Sequence, residues 1–164
     1  MNRNCYAGSS AAVLSGPQIL AGLSSIPFPS PVVAARLVGM AFIMIVEDNA
    51  DACEPLAKYL EKAGHEVKCA PNGREALAQV LAKPPDVVLL DLLMPEMDGP
   101  SFLEVIRSYL RIQSLPVVIW TALVDSPMVD RARALKVNSI LAKGKAGFEE
   151  IQRAIEEAVH RLPT

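Results

Sequence analysis

Histidine and cysteine are scarce in this chain, and each scarcity removes a class of chemistry. The two histidines, His65 and His160, stand far apart, and the three cysteines, Cys5, Cys53 and Cys69, form no C-x-x-C pair, which argues against a zinc site. An odd number of scattered cysteines reads as reduced thiols in a cytoplasmic protein, with Cys53 and Cys69 as small buried or half-buried side chains. A charge excess is missing too. The formal net charge of −2 over 164 residues gives no global attraction to nucleic acid or to an acidic lipid surface. No apolar run approaches the length of a membrane span. Residues 1–40 carry only two charged side chains, Arg3 and Arg36, and their scattered Gly, Ser and Pro let no helical or strand period survive. The segment lacks the unbroken apolar stretch of a signal peptide and the Arg-rich amphipathic character of a transit peptide. It reads as a disordered or non-native extension, with Met40 placed to act as a start.

From Phe42 onward the chain alternates between apolar runs and amphipathic stretches. Phe42-Ile43-Met44-Ile45-Val46 is a buried strand ending in Glu47-Asp48. A helix over about 51–63 follows, with Leu56, Tyr59 and Leu60 on one face, Pro55 in its first turn and Gly64 as its stop. A short strand at 66–70 leads to a helix capped by Asn72. Pro85-Asp86-Val87-Val88-Leu89-Leu90 then delivers a third strand to Asp91. Gly99-Pro100 opens a helix to about residue 111, and Pro116 to Trp120 forms a fourth strand ending at Thr121. Ser126-Pro127 starts a shorter helix. A fifth strand over 139–142 ends at Lys143, and a last helix covers about 148–161.

Five strands, each followed by a helix and most of them continuously apolar, imply an α/β fold with a parallel sheet covered on both faces. Right-handed crossovers leave few arrangements, of which the flavodoxin-like (βα)5 order 2-1-3-4-5 is one. In that order the carboxyl ends of strands 1 and 3 bring Glu47, Asp48 and Asp91 together, and strands 4 and 5 supply Thr121 and Lys143. Two carboxylates about 4 Å apart repel by about 4 kcal/mol at an effective dielectric near 20. Such a cluster protonates or binds a hard cation, and an all-oxygen donor set favours Mg²⁺. Thr121 offers a hydroxyl and Lys143 an ammonium to the oxygens of a transferred phosphoryl group, with Asp91 as nucleophile forming an acyl phosphate.

These residues resemble the receiver domain of two-component response regulators, over about residues 41–159. The matching motifs are Ile45-Val46-Glu47-Asp48-Asn49, Asp91-Leu92-Leu93-Met94-Pro95-Glu96-Met97-Asp98-Gly99, Trp120-Thr121-Ala122 and Lys143. The resemblance implies a receiver domain over 41–164 with Asp91 as phospho-acceptor. Asp48 would be a direct Mg²⁺ ligand, Glu47 an acidic neighbour acting through water, and the Leu93 backbone carbonyl a further ligand. Thr121 would be the switch hydroxyl and Lys143 its paired cation. The donor would be a sensor histidine kinase or phosphotransfer protein. The output would be altered binding to a downstream protein, with no enzymatic activity, no direct DNA binding and no membrane association. The chain ends shortly after its fifth helix, so a stand-alone receiver is expected.

Departures from the family pattern are equally specific. Gly144 follows Lys143 where the family usually has proline, so no cis peptide is expected there. Ile140 takes the place of the usual aromatic switch, so rotation of an aromatic ring cannot carry the signal to the surface in this chain. Leu93 and Leu123 occupy the two positions that tune phosphate lifetime, and neither can position an attacking water, so self-hydrolysis is expected to be slow. A phosphorylation-independent interaction module with the same fold is the alternative. An aspartyl-nucleophile phosphatase would want a second acid where Leu93 stands. Trp120 reads as core packing beside the site, Arg131 and Arg133 as a solvated helix face, and Met94 and Met97 as packing or loop residues.

Overall fold

The structure, a computed structural model, describes residues 39–160. The extension expected over 1–40 therefore lies outside the described residues except for Gly39 and Met40. In chain order the elements are β1 (Phe42–Val46), α1 (Ala50–Lys62), β2 (Glu66–Ala70), α2 (Gly73–Ala82), β3 (Val87–Leu90), α3 (Gly99–Ser108), β4 (Val117–Thr121), α4 (Pro127–Ala134), β5 (Ser139–Ala142) and α5 (Phe148–His160). All strand pairings are parallel, in the order β2-β1-β3-β4-β5. This is the flavodoxin-like arrangement the strand pattern called for.

Strand alternation divides the apolar runs between two cores. Met44, Val46, Val88, Leu90, Val117 and Ile119 point to one face, where α2, α3 and α4 contribute Ala76, Val80, Phe102, Leu103, Ile106, Val129 and Ala132. Ile43, Ile45, Val87, Leu89, Val118 and Trp120 point to the other, covered by α1 and α5 through Cys53, Leu56, Leu60, Ile151, Ile155 and Ala158. Phe102 is fully buried, and truncating such a side chain to alanine costs about 3–5 kcal/mol. The central strands are buried almost throughout, whereas the edge strands β2 and β5 are only partly covered.

Three helices begin on side-chain caps that the sequence supplies. Asn49 Oδ1 accepts from the Asp51 amide (2.9 Å), Asn72 Oδ1 from Glu75 (2.8 Å) and Asp98 Oδ1 from Ser101 (2.7 Å). Gly64, at φ +95°, ends α1 in a left-handed turn that glycine adopts without steric cost.

The structure corrects three local expectations. Pro55 lies inside α1, in its second turn, so one intrahelical hydrogen bond is missing there. Helix α3 stops at Ser108 and does not reach residue 111. Its end is fixed by Arg107, whose guanidinium donates to the carbonyls of Leu135, Gln113 and Leu115 (2.9 Å each) and of Lys136 (3.2 Å), tying α3 to the loops before β4 and after α4. The thiols of Cys53 and Cys69 are not free. They form a disulfide across 16 residues, with Cys53 buried and Cys69 exposed on the edge strand. The packing of α1 on β2 brings them together, which no cysteine spacing in the sequence announces.

Candidate phospho-acceptor and metal site

The register of the central strands builds the site. Val46 pairs with Leu90, so the next residues, Glu47 and Asp91, emerge side by side at the carboxyl edge of the sheet. The Asp91 amide donates to the Val46 carbonyl (3.0 Å) and the Glu47 amide to that of Ala70 (3.0 Å), fixing both departures from the sheet. Thr121 ends β4, and the Lys143 amide donates to its carbonyl (2.9 Å). The five residues that the sequence pattern singled out, Glu47, Asp48, Asp91, Thr121 and Lys143, line one open cleft of about 520 Å³ together with Leu93 and Leu123.

Asp91 is nearly buried, and its two carboxylate oxygens have different surroundings. Oδ1 accepts from the Leu92 amide (2.6 Å) and, more weakly, from the Leu93 amide (3.4 Å). Oδ2 meets the Lys143 ammonium at 2.6 Å. The same ammonium touches Glu47 Oε2, while Glu47 Oε1 accepts from the Asn49 amide (3.3 Å). Lys143 thus bridges two buried carboxylates, with its Nζ 5.2 Å from the centre of the Trp120 ring. Burial pushes the Glu47 carboxyl up from its ordinary range, offset in part by Lys143. Burial alone would lower the Lys143 ammonium, but its hydrogen bonds and charge attraction to Asp91 and Glu47 outweigh that and raise it. Asp48 is exposed at the mouth.

Carboxylate oxygens of Glu47, Asp48 and Asp91 all lie within 4.8 Å of one another. Among the described residues lining the cleft there is no histidine or cysteine, and the three carboxylates form a hard-cation donor set suited to Mg²⁺. Thr121 is fully buried, and its hydroxyl accepts from the Leu123 amide (3.3 Å).

The family described as response regulator receiver domain matches residues 43–156. The chain belongs to that family. Among solved structures, the chemotaxis response regulator CheY4 of Vibrio cholerae is similar with a TM-score of 0.67 and 26% identity, over 73% of this chain and 98% of that one. The signal receiver domain of a signal transduction histidine kinase from Syntrophus aciditrophicus gives 0.68 and 27%, over 75% and 92%. Among relatives, the protein-glutamate methylesterase/protein-glutamine glutaminase of Archaeoglobus fulgidus is 32% identical over 73% of this chain, which spans only 34% of that protein. The gliding motility regulatory protein of Myxococcus xanthus is 28% identical over 91% of this chain, which spans 19% of it. Protein PilH of Pseudomonas aeruginosa is 37% identical over 50% of this chain and 68% of its own length.

The departures from the receiver pattern also take a physical form. The described residues contain no cis peptide, and Gly144 adopts φ +77°, a conformation open to glycine but closed to proline. Ile140 is half-buried on the edge strand β5, packed against the core that α4 covers. Leu93 stands 60% exposed at the mouth of the cleft. Trp120 is 7% exposed, as its reading as a packing residue required. Arg131 and Arg133 are solvent-exposed and engaged in surface ion pairs with Glu104 and Asp130. No helix among the described residues is long and apolar enough to cross a membrane.

Sequence reasoning missed the role of Gly99. A Cβ there would lie 2.6 Å from the Asp91 carbonyl oxygen and 2.8 Å from Leu92 Cα, so only glycine lets α3 begin this close to the acceptor loop. Gly99-Pro100 was the available signal, read only as a helix start. The Arg107 clamp had no signal, because its carbonyl partners come from two loops distant in the chain.

Proposed function

We propose that this receiver domain accepts a phosphoryl group on Asp91 in an Mg²⁺-dependent reaction and signals by changed protein binding. The observation that carries this reading is the cleft itself. A nearly buried carboxylate lies there within 4.8 Å of two further acids and in contact with one lysine. Asp48 and Glu47 would hold the cation with Asp91, and the Leu93 backbone carbonyl would be a further ligand. When bound, Mg²⁺ supplies the positive charge that allows a carboxylate and a phosphoryl group to approach.

The chain's own residues account for the rest. The Leu92 and Leu93 amides hold Oδ1 in place, leaving Oδ2 as the oxygen that exchanges its lysine contact for a bond to phosphorus. Attack by Oδ2 forms the O–P bond as the donor's bond to phosphorus breaks, and the donor leaves with that electron pair. Lys143 then pairs with a phosphoryl oxygen in place of Oδ2, and Thr121 turns its hydroxyl from the Leu123 amide toward the same group. The donor would be a phosphohistidine on a sensor kinase or phosphotransfer protein, and the reader a downstream protein. The domain acts as a signalling module over 41–164 and carries no separate catalytic activity of its own.

Intact mass after incubation with Mg²⁺ and acetyl phosphate tests this reading. One phosphoryl adduct is expected, absent with EDTA and absent in Asp91→Asn. No adduct from acetyl phosphate or from a phosphorylated histidine donor would favour the phosphate-independent interaction module. That alternative draws on Ile140 and Gly144, which remove the usual aromatic and proline from the relay.

A further inference from the structure

The Cys53–Cys69 bond lies outside the phosphoryl chemistry, yet it sits against the loop that carries two of the three acids. The loop Glu47-Asp48-Asn49 leaves β1 and enters α1, and a backbone hydrogen bond ties each end to a cysteine-bearing element. At its start, the Glu47 amide donates to the carbonyl of Ala70, the residue directly after Cys69 (3.0 Å). At its end, the Cys53 amide donates to the carbonyl of Asn49 (3.0 Å). The two elements that anchor the acid loop are therefore the two that the disulfide joins, with Cα atoms 6.8 Å apart. Cys53 is buried in the core beneath α1. Cys69 is exposed, on a strand that has a neighbour on one side only. The bond is thus anchored on its inner side and open to solvent reagents on its outer side, the arrangement that makes a disulfide addressable by exchange.

We propose that Cys53–Cys69 is a redox modification site, reduced by a dithiol and re-formed by exchange with an oxidised disulfide reagent that leaves as its dithiol, and that it sets how firmly the acid loop is held and hence its affinity for the cation. A thiolate of the dithiol attacks Cys69 Sγ, the S–S bond breaks, and Cys53 leaves as a thiolate that takes up a proton. The second thiol then attacks the mixed disulfide, releasing Cys69 and closing the reagent into its own disulfide. Two electrons and two protons pass from the dithiol to the protein. Reduction leaves every hydrogen bond at the loop possible, but α1 and β2 are then joined around it by non-covalent contacts alone. The mechanism is constraint, since neither sulfur touches the metal or the phosphoryl group. The affinity part of the proposal rests on the Mg²⁺ reading of the cleft.

The experiment uses the full chain with Cys5→Ser, oxidised or treated with dithiothreitol, beside the same chain carrying Cys69→Ser. Alkylation followed by mass analysis counts free thiols, amide exchange reads residues 47–53, and Trp120 fluorescence follows a Mg²⁺ titration. The oxidised chain is expected to resist alkylation at Cys53 and Cys69. Reduction is expected to speed amide exchange in the acid loop and weaken Mg²⁺ binding, each by about five-fold or more. Cys69→Ser should match the reduced state with or without dithiol. Free alkylation of both cysteines before reduction overturns the proposal, as does loop exchange that reduction leaves unchanged. If Mg²⁺ binds neither form, the metal reading fails by itself, and loop exchange alone then decides whether the disulfide is a brace.

Discussion

Replacing Lys143 with methionine tests the electrostatics of the cleft most directly. In the folded protein one ammonium, 20% exposed, serves two carboxylates whose side chains are 2% and 7% exposed, Glu47 and Asp91. Methionine keeps the apolar stem near Trp120 and removes only the charge. Removing one partner of a buried ion pair costs about 3–5 kcal/mol, and the partial exposure of Lys143 places this case near about 3 kcal/mol. For a domain of this size that is a fall in melting midpoint of roughly 10 °C. The pH dependence carries the signature. Glu47 is an acid whose folded pKa is raised, so its contribution is fully present below its unfolded value and is lost as pH rises through the folded one. Without Lys143 that upward push grows, so the variant should recover stability as pH falls from neutral toward the ordinary carboxylate range, further than the parent does. Lys143 itself is raised, so its contribution holds below its ordinary value and disappears as pH climbs through the folded value. The parent should therefore lose stability in the alkaline range, and the variant should lack that loss. Magnesium should raise the variant's midpoint more than the parent's, because the oxygens no longer hold an ammonium. Circular-dichroism melts across pH, with Mg²⁺ or EDTA, give all these quantities. A variant melting within about 2 °C of the parent at neutral pH, with the same pH profile, would refute the bridging role.

Three further substitutions probe the scaffold around the cleft. Gly99→Ala places a Cβ against the Asp91 carbonyl and the Leu92 backbone, neither of which is a flexible side-chain end. It should cost about 1–3 kcal/mol in a denaturant titration and slow adduct formation on Asp91. Arg107→Ala removes donors to four carbonyls and should cost about 2–3 kcal/mol in urea melts, with Arg107→Lys recovering little because a point charge cannot span that spread. Leu93→Asn introduces a water-binding side chain at the cleft mouth and should shorten the adduct's half-life, followed by mass after donor removal. An unchanged half-life would remove Leu93 from the account of phosphate lifetime.

The sequence by itself determined the sheet and the place of the chemistry. Apolar runs too continuous for a half-solvated strand, four of the five strands ending in an acid, a threonine or a lysine, left few topologies and put Glu47, Asp48, Asp91, Thr121 and Lys143 at one edge. The start of α2 was legible through its Asn72 cap, and Asn49 and Asp98 cap in the same local way, through residues two or three positions ahead. What the sequence could not supply depends on partners distant in the chain. The end of α3 is set by an arginine reaching carbonyls on other loops, and periodicity along one helix carries no trace of them. Pairing of Cys53 with Cys69 needs α1 laid on β2, and their spacing of 16 matches no motif. The lysine bridge between Glu47 and Asp91 is likewise a tertiary result. Sequence order brought three acids and a cation to one cleft, but only packed geometry decided that the ammonium contacts these two carboxylates, because burial made them costly to leave unpaired.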